Sequence, residues 1–215
     1  MPVGVLGEVR RQALKKISDS LQENVHELKN ILHADKNFDL IYREQKLGDK
    51  DAGFFFIDGF IKDTIMERLL KSFSDLKDTD IPANAGEFSD KYIPYVEVDL
   101  LDDVEDIVTA VLSGVACYFV DGYSECMAID CRTYPMRSVD EPWKDRVLRG
   151  SRDGFVETIV SNVALIRRRI RDPRLCVEIL HAGIKSRTDI SVAYLEGVAD
   201  MKLSLIHISE PTRRS

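Results

Sequence analysis

Residues 147–174, VLRGSRDGFVETIVSNVALIRRRIRDPR, constrain the fold most, because they join a basic glycine-containing loop, an amphipathic helix and a stop signal. Ser151 or Asp153 can cap the start of the helix, and Pro173 ends it. Apolar residues recur at three- and four-residue steps and predict one buried stripe, formed by Phe155, Ile159, Val163, Ile166 and Ile170. The helix is therefore expected to pack through this stripe.

Four arginines crowd the last turn of this helix: Arg167, Arg168, Arg169 and Arg171. The helix dipole favours positive charge there but does not require so much of it. At about 100° per residue, Arg167 and Arg171 flank one side of the stripe, Arg169 flanks the other, and Arg168 points nearly opposite. Charges spread in this way suit several partners, such as neighbouring subunits or anionic lipid, better than one face that tracks phosphates.

The loop at 149–154 is the one credible anion site in the sequence. A helix N-terminus presents free N–H groups, and Arg149 and Arg152 can add forked contacts to a phosphate or carboxylate. Alternatively, these arginines pair with Asp153 or with the acidic stretch at 97–106, within one chain or between subunits. We favour the pairing, since structural ion-pair networks commonly produce such clusters.

Composition and motifs argue against catalysis and against nucleic-acid binding. The net charge of −7 does not suit a general nucleic-acid binder. The four cysteines lack metal-ligand spacing, so we expect reduced thiols, no metal and no cofactor. Phosphate-loop, dinucleotide and hydrolase motifs are missing from the sequence. Cys176 and His181 could pair as nucleophile and base, but nothing in the sequence supplies an orienting third group. We therefore expect no catalytic residues.

The patterning predicts an α/β fold of mixed α+β type: two small α/β subdomains after a long N-terminal helix, with the second subdomain truncated. The expected boundaries are a helix at 1–33, a first subdomain at 34–146 and an incomplete second one at 147–202. Residues 77–90 read as a polar connection. Strands are expected at 38–44, 54–57, 95–98, 115–120, 126–130, 175–180 and 190–195, and further helices at 66–76 and 104–112.

Two aromatic segments resemble each other, FFFIDGF at 54–60 and YFVDGY at 118–123. They either record a repeated supersecondary unit or reflect how often aromatic strands end at an Asp-Gly turn. Asp58 and Asp121 belong to these turns, where hydrogen bonding of the side chain to its own turn explains an aspartate without any chemistry.

Longer motifs carry a family resemblance. RGSRDGFVET at 149–158, ALIRRRIRDPRL at 164–175 and KSRTDISVAYLEGVAD at 185–200 resemble the GerA family of spore-germination membrane proteins. Together with KYIPYVEV and RTYPMR, they are most similar to the branch that contains stage V sporulation protein AF. The resemblance implies an α/β domain followed by transmembrane helices, and assembly into an oligomer that conducts ions during germination.

The chain has no window of about 20 apolar residues, so we interpret it as the part of such a protein that precedes the first span. The last residues, LSLIHISEPTRRS at 203–215, resemble the translation of a sequencing-library adapter. We treat this tail as non-native; the alternative is a native tail with a strand-like LSLIHIS.

Two functions follow from this interpretation. The first is an interaction module on the cytosolic, spore-core side of the spore inner membrane, which mediates subunit assembly and gating of a germinant-receptor-like or ion-release complex. Its partners would be copies of itself and other germination membrane subunits. The second is a domain that binds a nucleotide, phosphate or amino acid at the 149–154 loop. Neither function requires catalytic activity, and we expect the protein not to be an enzyme.

Overall fold

The structure, a computed structural model, describes residues 15–94, 96–134 and 154–199. Its helices are α1 (Leu21–Ile31), α2 (Asp63–Ser74), α3 (Ala85–Tyr92), α4 (Val104–Leu112) and α5 (Ile159–Arg169). Its strands are β1 (Leu40–Leu47), β2 (Lys50–Ile57), β3 (Val98–Leu101), β4 (Ala116–Val120), β5 (Cys126–Ile129), β6 (Leu175–Ala182) and β7 (Thr188–Leu195). The mixed helix-and-strand class expected from the sequence is confirmed.

The main sheet has five antiparallel strands in the order β1-β2-β4-β5-β3, and β6 and β7 form a separate antiparallel hairpin. The two segments with similar sequences lie side by side, with Phe54 of β2 opposite Tyr118 of β4. Each ends in a turn whose glycine has a positive φ, 83° at Gly59 and 84° at Gly122. Strands β2 and β4 have helices on both faces, which explains their continuous apolar sequences.

Helices cover both faces of the sheet. On one face, α1 and α4 pack against the side chains of β2 and β4 that include Phe55 and Cys117. On the other face, the neighbouring residues Phe54 and Tyr118 contact Phe73 of α2, and Phe88 of α3 belongs to the same cluster. Successive strand side chains point to opposite faces, so the five-stranded sheet separates two hydrophobic cores.

The hydroxyl of Tyr118 is buried without a hydrogen-bond partner in the described part of the chain, and burial raises its pKa. An unsatisfied buried polar group costs about 1–3 kcal/mol. We therefore expect Tyr118→Phe to leave the free energy of unfolding unchanged or to raise it. Tyr123→Phe is the control, because the Tyr123 hydroxyl donates to the Pro82 carbonyl at 2.5 Å and its loss should lower stability by about 1 kcal/mol. Urea unfolding measures both; a loss of stability in Tyr118→Phe would contradict the prediction.

The N-terminal helix differs from its predicted extent. It begins at Leu21, and the described residues before it are not helical. Ile17 instead donates its N–H to the Asp102 carbonyl at 2.9 Å, so this segment runs beside the start of α4. The Leu21 N–H donates to the Asp121 carboxylate at 3.0 Å. Asp121 thus caps α1 from a distant turn, whereas Asp58 accepts from its neighbour Gly59 as expected of an Asp-Gly turn.

Two further predictions are corrected in the first half of the chain. The polar connection at 77–90 contains most of α3, whose start is capped by the Asn84 side chain accepting from the Glu87 N–H at 2.9 Å. Strand β3 begins at Val98, where the sequence had predicted a strand at 95–98. The strands predicted at 115–120 and 126–130 pair as the antiparallel hairpin β4–β5, and those predicted at 175–180 and 190–195 pair as β6–β7.

Candidate functional site

Helix α5 packs closely on the turn that follows β2. At Gly59, an added Cβ would lie 2.9 Å from Cγ1 of Val160 and 3.3 Å from Cβ of Ala164. Ala164 is fully buried in the core that α1 and α4 share. Because Gly59 has no side chain, α5 packs directly against the part of the chain that forms the five-stranded sheet and its helices, which we call the first unit. The C-terminal turn of α5 lies over the residues that lead into β1.

Arg167 is the most buried of the four arginines, with only 2% of its surface exposed. Its guanidinium forms a forked ion pair with the carboxylate of Asp39, at 2.7 Å from Nε and 2.9 Å from Nη2. Nη1 donates to the Leu175 carbonyl at 2.9 Å, and Nη2 also donates to Oδ1 of Asn37 at 2.7 Å. Forked, charge-assisted bonds of this kind fix geometry as well as distance.

Asn37 extends the same network to two more elements. Its Oδ1 accepts from the Val177 N–H at 2.6 Å, and its Nδ2 donates to the Leu32 carbonyl at 2.8 Å, just past α1. The Phe38 N–H donates to the Val177 carbonyl at 3.1 Å. We call the group Leu32, Asn37, Asp39, Arg167, Leu175 and Val177 the Arg167 junction. It connects α1, the start of β1, α5 and β6 through buried polar contacts.

The Arg167 junction has a structural role. Both charges are buried, the carboxylate completely, and every contact described above joins two parts of this chain. A buried pair of this kind stabilises weakly in net terms but strongly penalises the loss of one partner. The junction therefore holds α5 and the β6–β7 hairpin in one orientation on the first unit.

The four arginines thus have different environments. Arg167 was expected to contact a neighbouring subunit or anionic lipid, and this is corrected: it is buried and pairs with Asp39 of the same chain. The Arg168 guanidinium lies 4.7 Å from the centroid of the Tyr134 ring, a cation–π geometry. Arg169 lines a small cavity of about 150 Å³ beside Phe155. Arg171 is exposed beyond the helix end.

The start of α5 also differs from the prediction. The helix begins at Ile159, so Phe155 precedes it and is 67% exposed, instead of extending the buried stripe. The Asn162 side chain holds this preceding segment by bonds to the N–H and the carbonyl of Val156, both at 2.7 Å. Arg149, Arg152 and Asp153 lie outside the described residues, as do the candidate cap Ser151 and most of the 149–154 loop.

Two carboxylates of the acidic stretch at 97–106, those of Asp102 and Asp103, make contacts within this chain. Asp103 caps α4 by accepting from the Glu105 and Asp106 N–H groups at 2.8 and 3.3 Å. Asp102 pairs with Lys16 at 2.5 Å, and this contact lowers the pKa of the Asp102 carboxyl. These contacts attach the segment before α1 to the first turn of α4.

The thiols are free and buried. Burial raises the pKa of Cys131 to about 11, and burial followed by the nearby Glu196 raises that of Cys176. A raised pKa disfavours the reactive thiolate. His181 is exposed and pairs with Asp189 at 2.7 Å, and it lies five residues from Cys176 on one strand, hence on the opposite face. The conceivable Cys176–His181 pair does not form.

Sequence reasoning missed Asn37 and Asp39. Asp39 falls inside the strand predicted at 38–44 and Asn37 lies just before it, and hydropathy gives no sign that either residue is buried. Their spacing was the one usable indication in the sequence, since an asparagine and an aspartate two residues apart on a strand can both face the same buried cation. Without the fold, that cation could not be identified.

Known proteins resemble this chain. The profile of the Bacillus/Clostridium GerA spore germination protein family matches residues 26–206. Stage V sporulation protein AF of Bacillus subtilis is 35% identical over 188 residues, which cover 84% of this chain and 37% of that protein. The uncharacterized membrane protein YfkQ of the same organism is 29% identical over 191 residues, 88% of this chain and 37% of that protein. The chain thus spans little more than a third of the length of these relatives.

A crystal structure has the same fold. The N-terminal domain of the A subunit of the Bacillus megaterium spore germinant receptor GerK3 superposes with a TM-score of 0.70 at 22% identity, covering 91% of this chain and 72% of that one. Among the described helices, none combines the length and apolar composition that a bilayer crossing requires. Since the family profile matches most of the sequence, the chain belongs to the GerA family of spore germination proteins.

Proposed function

We propose that this chain is the cytosolic N-terminal module of a spore inner-membrane subunit, and that it acts by assembly and gating in a germinant-receptor-like or ion-release complex. Membership of the GerA family supports the link to germination. The name of the membrane protein YfkQ and the short share of its length that this chain covers support a membrane-bound remainder. In this proposal, 34–146 and 147–202 are two subdomains, and the second continues beyond 202.

The observation that carries the assembly role is the outer half of the β6–β7 hairpin. Leu180 and Ile190 are cross-strand partners on one face, and Ile179 lies on the other. All three expose more than a third of their surface, and Ile184 at the tip is 98% exposed. Apolar side chains exposed on both faces of a hairpin favour burial against another protein surface.

The Arg167 junction supplies the link between such a contact and the rest of the module. The inner end of β6 makes both bonds: the Val177 N–H donates to Asn37, and the Leu175 carbonyl accepts from Arg167. A partner that moves the hairpin therefore acts on a buried, directional network and not on a flexible linker. We propose that gating motions pass through this connection, with Arg168, Arg169 and Arg171 near the moving surface.

The test uses the full-length subunit with Leu180→Glu and Ile184→Glu combined. We expect the detergent-solubilised complex to lose its oligomeric peak in size-exclusion chromatography with light scattering, and spores that carry the variant to lose germinant-triggered ion release. Lys185→Glu is the matched control, because Lys185 is exposed at the same tip and changes only charge. An intact oligomer with normal ion release in the double variant would contradict the proposal.

The competing function, binding of a nucleotide, phosphate or amino acid at the 149–154 loop, predicts a different result. A saturable rise in melting temperature with one of these ligands, abolished by Arg152→Ala, would favour it. The assembly proposal predicts that Arg152→Ala leaves the melting temperature unchanged in each of these ligands.

A further inference from the structure

A groove runs between α2, α3 and the chain that follows α3. Its volume is about 650 Å³, within the range typical of small-molecule sites. The apolar part of its lining is formed by Ile65, Leu69, Ile93, Pro94 and Val96. Leu69 and Ile93 are buried and belong to the core beneath the sheet, so this part of the lining is continuous with the hydrophobic interior.

Cations line the same groove, and no carboxylate is among its lining residues. Lys62, Arg68 and Lys91 contribute to the lining, in a chain whose net charge is −7. Lys91 lies 5.0 Å from the centroid of the Tyr92 ring and 3.5 Å from the Asp80 carbonyl. Within the described ranges, Lys62 and Arg68 form no ion pair. Two positive charges therefore remain available to a ligand.

The other grooves of the first unit differ in this respect. Beside α1, a groove of about 320 Å³ contains Lys46, which pairs with Asp51 at 2.5 Å. Beside β3, a groove of about 360 Å³ contains Arg132, which pairs with Asp130, and further carboxylates. In both, local carboxylates neutralise the cation. Only the α2–α3 groove, among these three, combines unneutralised cations with an apolar floor.

The walls of the groove are fixed by packing. Phe73 of α2 and Phe88 of α3 are buried and stack edge-to-face at 5.1 Å. The Tyr92 hydroxyl donates to the Asp80 carbonyl at 2.6 Å, which holds the end of α3 against the preceding loop. Gln45 of β1 donates to the Leu70 carbonyl of α2 at 3.1 Å. A groove between helices held in this way is preorganised, so little binding energy is spent on ordering it.

We propose that the α2–α3 groove binds a small organic anion with an apolar body, of the class of medium-chain carboxylates. The aliphatic part would lie on Ile65, Leu69 and Ile93, and the carboxylate would accept hydrogen bonds from Arg68 and Lys62 at the rim. Arginine suits this role, since its planar fork matches a carboxylate. This site is separate from the Arg167 junction and from the hairpin surface, so it stands or falls independently of the assembly proposal.

Isothermal titration of the 215-residue chain with octanoate tests the site. We expect saturable binding at one site, at least tenfold weaker binding of octan-1-ol, which lacks the charge, and no measurable binding of acetate, which lacks the apolar body. Arg68→Glu should weaken octanoate binding at least tenfold. Lys46→Glu is the matched control in the groove beside α1 and should bind as the unmodified chain does.

A second variant separates the groove from general surface charge. Ser72→Trp fills the groove without changing charge and should abolish octanoate binding. Thr64→Trp, at another uncharged residue of the lining, serves the same purpose should the Ser72→Trp variant fail to fold by circular dichroism. The proposal is wrong if octanoate does not saturate, or if these variants bind it normally. It is equally wrong if the chain binds only phosphatidylglycerol vesicles and Ser72→Trp keeps that binding, because the surface would then recognise a membrane.

Discussion

Arg167→Ala is expected to lower the free energy of unfolding by about 3–5 kcal/mol, because it leaves the Asp39 carboxylate buried without its partner. The same substitution removes the donors to the Leu175 carbonyl and to Oδ1 of Asn37. Urea unfolding followed by circular dichroism measures the loss. We also expect faster amide hydrogen exchange in β6 than in β4, since the junction holds the hairpin to the first unit.

Arg171→Ala is the matched control for this substitution. Arg171 is exposed just past the same helix, and exposed substitutions usually change stability by less than about 0.5 kcal/mol. In a double-mutant cycle, Arg167→Ala combined with Asp39→Ala should lose less stability than the sum of the single variants, because no unpaired charge remains. A loss below about 1 kcal/mol for Arg167→Ala alone would show that the junction does not hold the two parts together.

Gly59→Ala is expected to cost about 2–4 kcal/mol, since backbone strain and crowding act together. The φ of Gly59 is 83°, a value that side-chain-bearing residues rarely adopt. The new Cβ would lie 2.9 Å from Cγ1 of Val160, too close for two carbon atoms. Helix α5 would have to move away from the turn, which would also stretch the bonds of Arg167. Urea unfolding again gives the magnitude.

Gly197→Ala separates the two causes. Its φ is 76°, close to that of Gly59, but nothing lies within 4 Å of the added Cβ. We expect only the backbone cost of about 1–2 kcal/mol there. Combining Gly59→Ala with Val160→Ala removes the crowded atom and should recover part of the loss. Equal losses at both glycines would mean that α5 does not press on the turn.

Local signals in the sequence predicted most of the elements. The Asp121-Gly122 turn and the turn near Gly183 separated the predicted strands of the β4–β5 and β6–β7 hairpins. Three- and four-residue spacing predicted α2 and α4, because such patterns depend on near neighbours. Helix α3 was missed although Asn84 and Glu87 form a recognisable cap, since glycine and proline in the segment were weighted more heavily. Apolar spacing also placed Ile17 in a helix, whereas pairing with Asp102 holds it outside one.

The site was less predictable. Helical geometry placed Arg167 beside the apolar stripe, which agrees with its burial, but the spread of the four arginines suggested neighbouring subunits or anionic lipid as its partners. The actual partner, Asp39, lies 128 residues away. Charge patterns carry no information on distance between remote segments, so the choice among carboxylates required the fold. Asp39 could not be recognised as a buried partner from the sequence, because a single aspartate near a strand usually faces solvent.

The cap that Asp121 provides for α1 has a consequence for biosynthesis. An isolated helix of 11 residues is only marginally stable in water. The carboxylate that caps the first turn of α1 lies 100 residues later in the chain. At about 5–20 residues per second of translation, the start of α1 emerges from the ribosome about 5–20 seconds before that acceptor does. During this interval the segment is open to chaperones and proteases, and its maturation is timed by the arrival of the central strands.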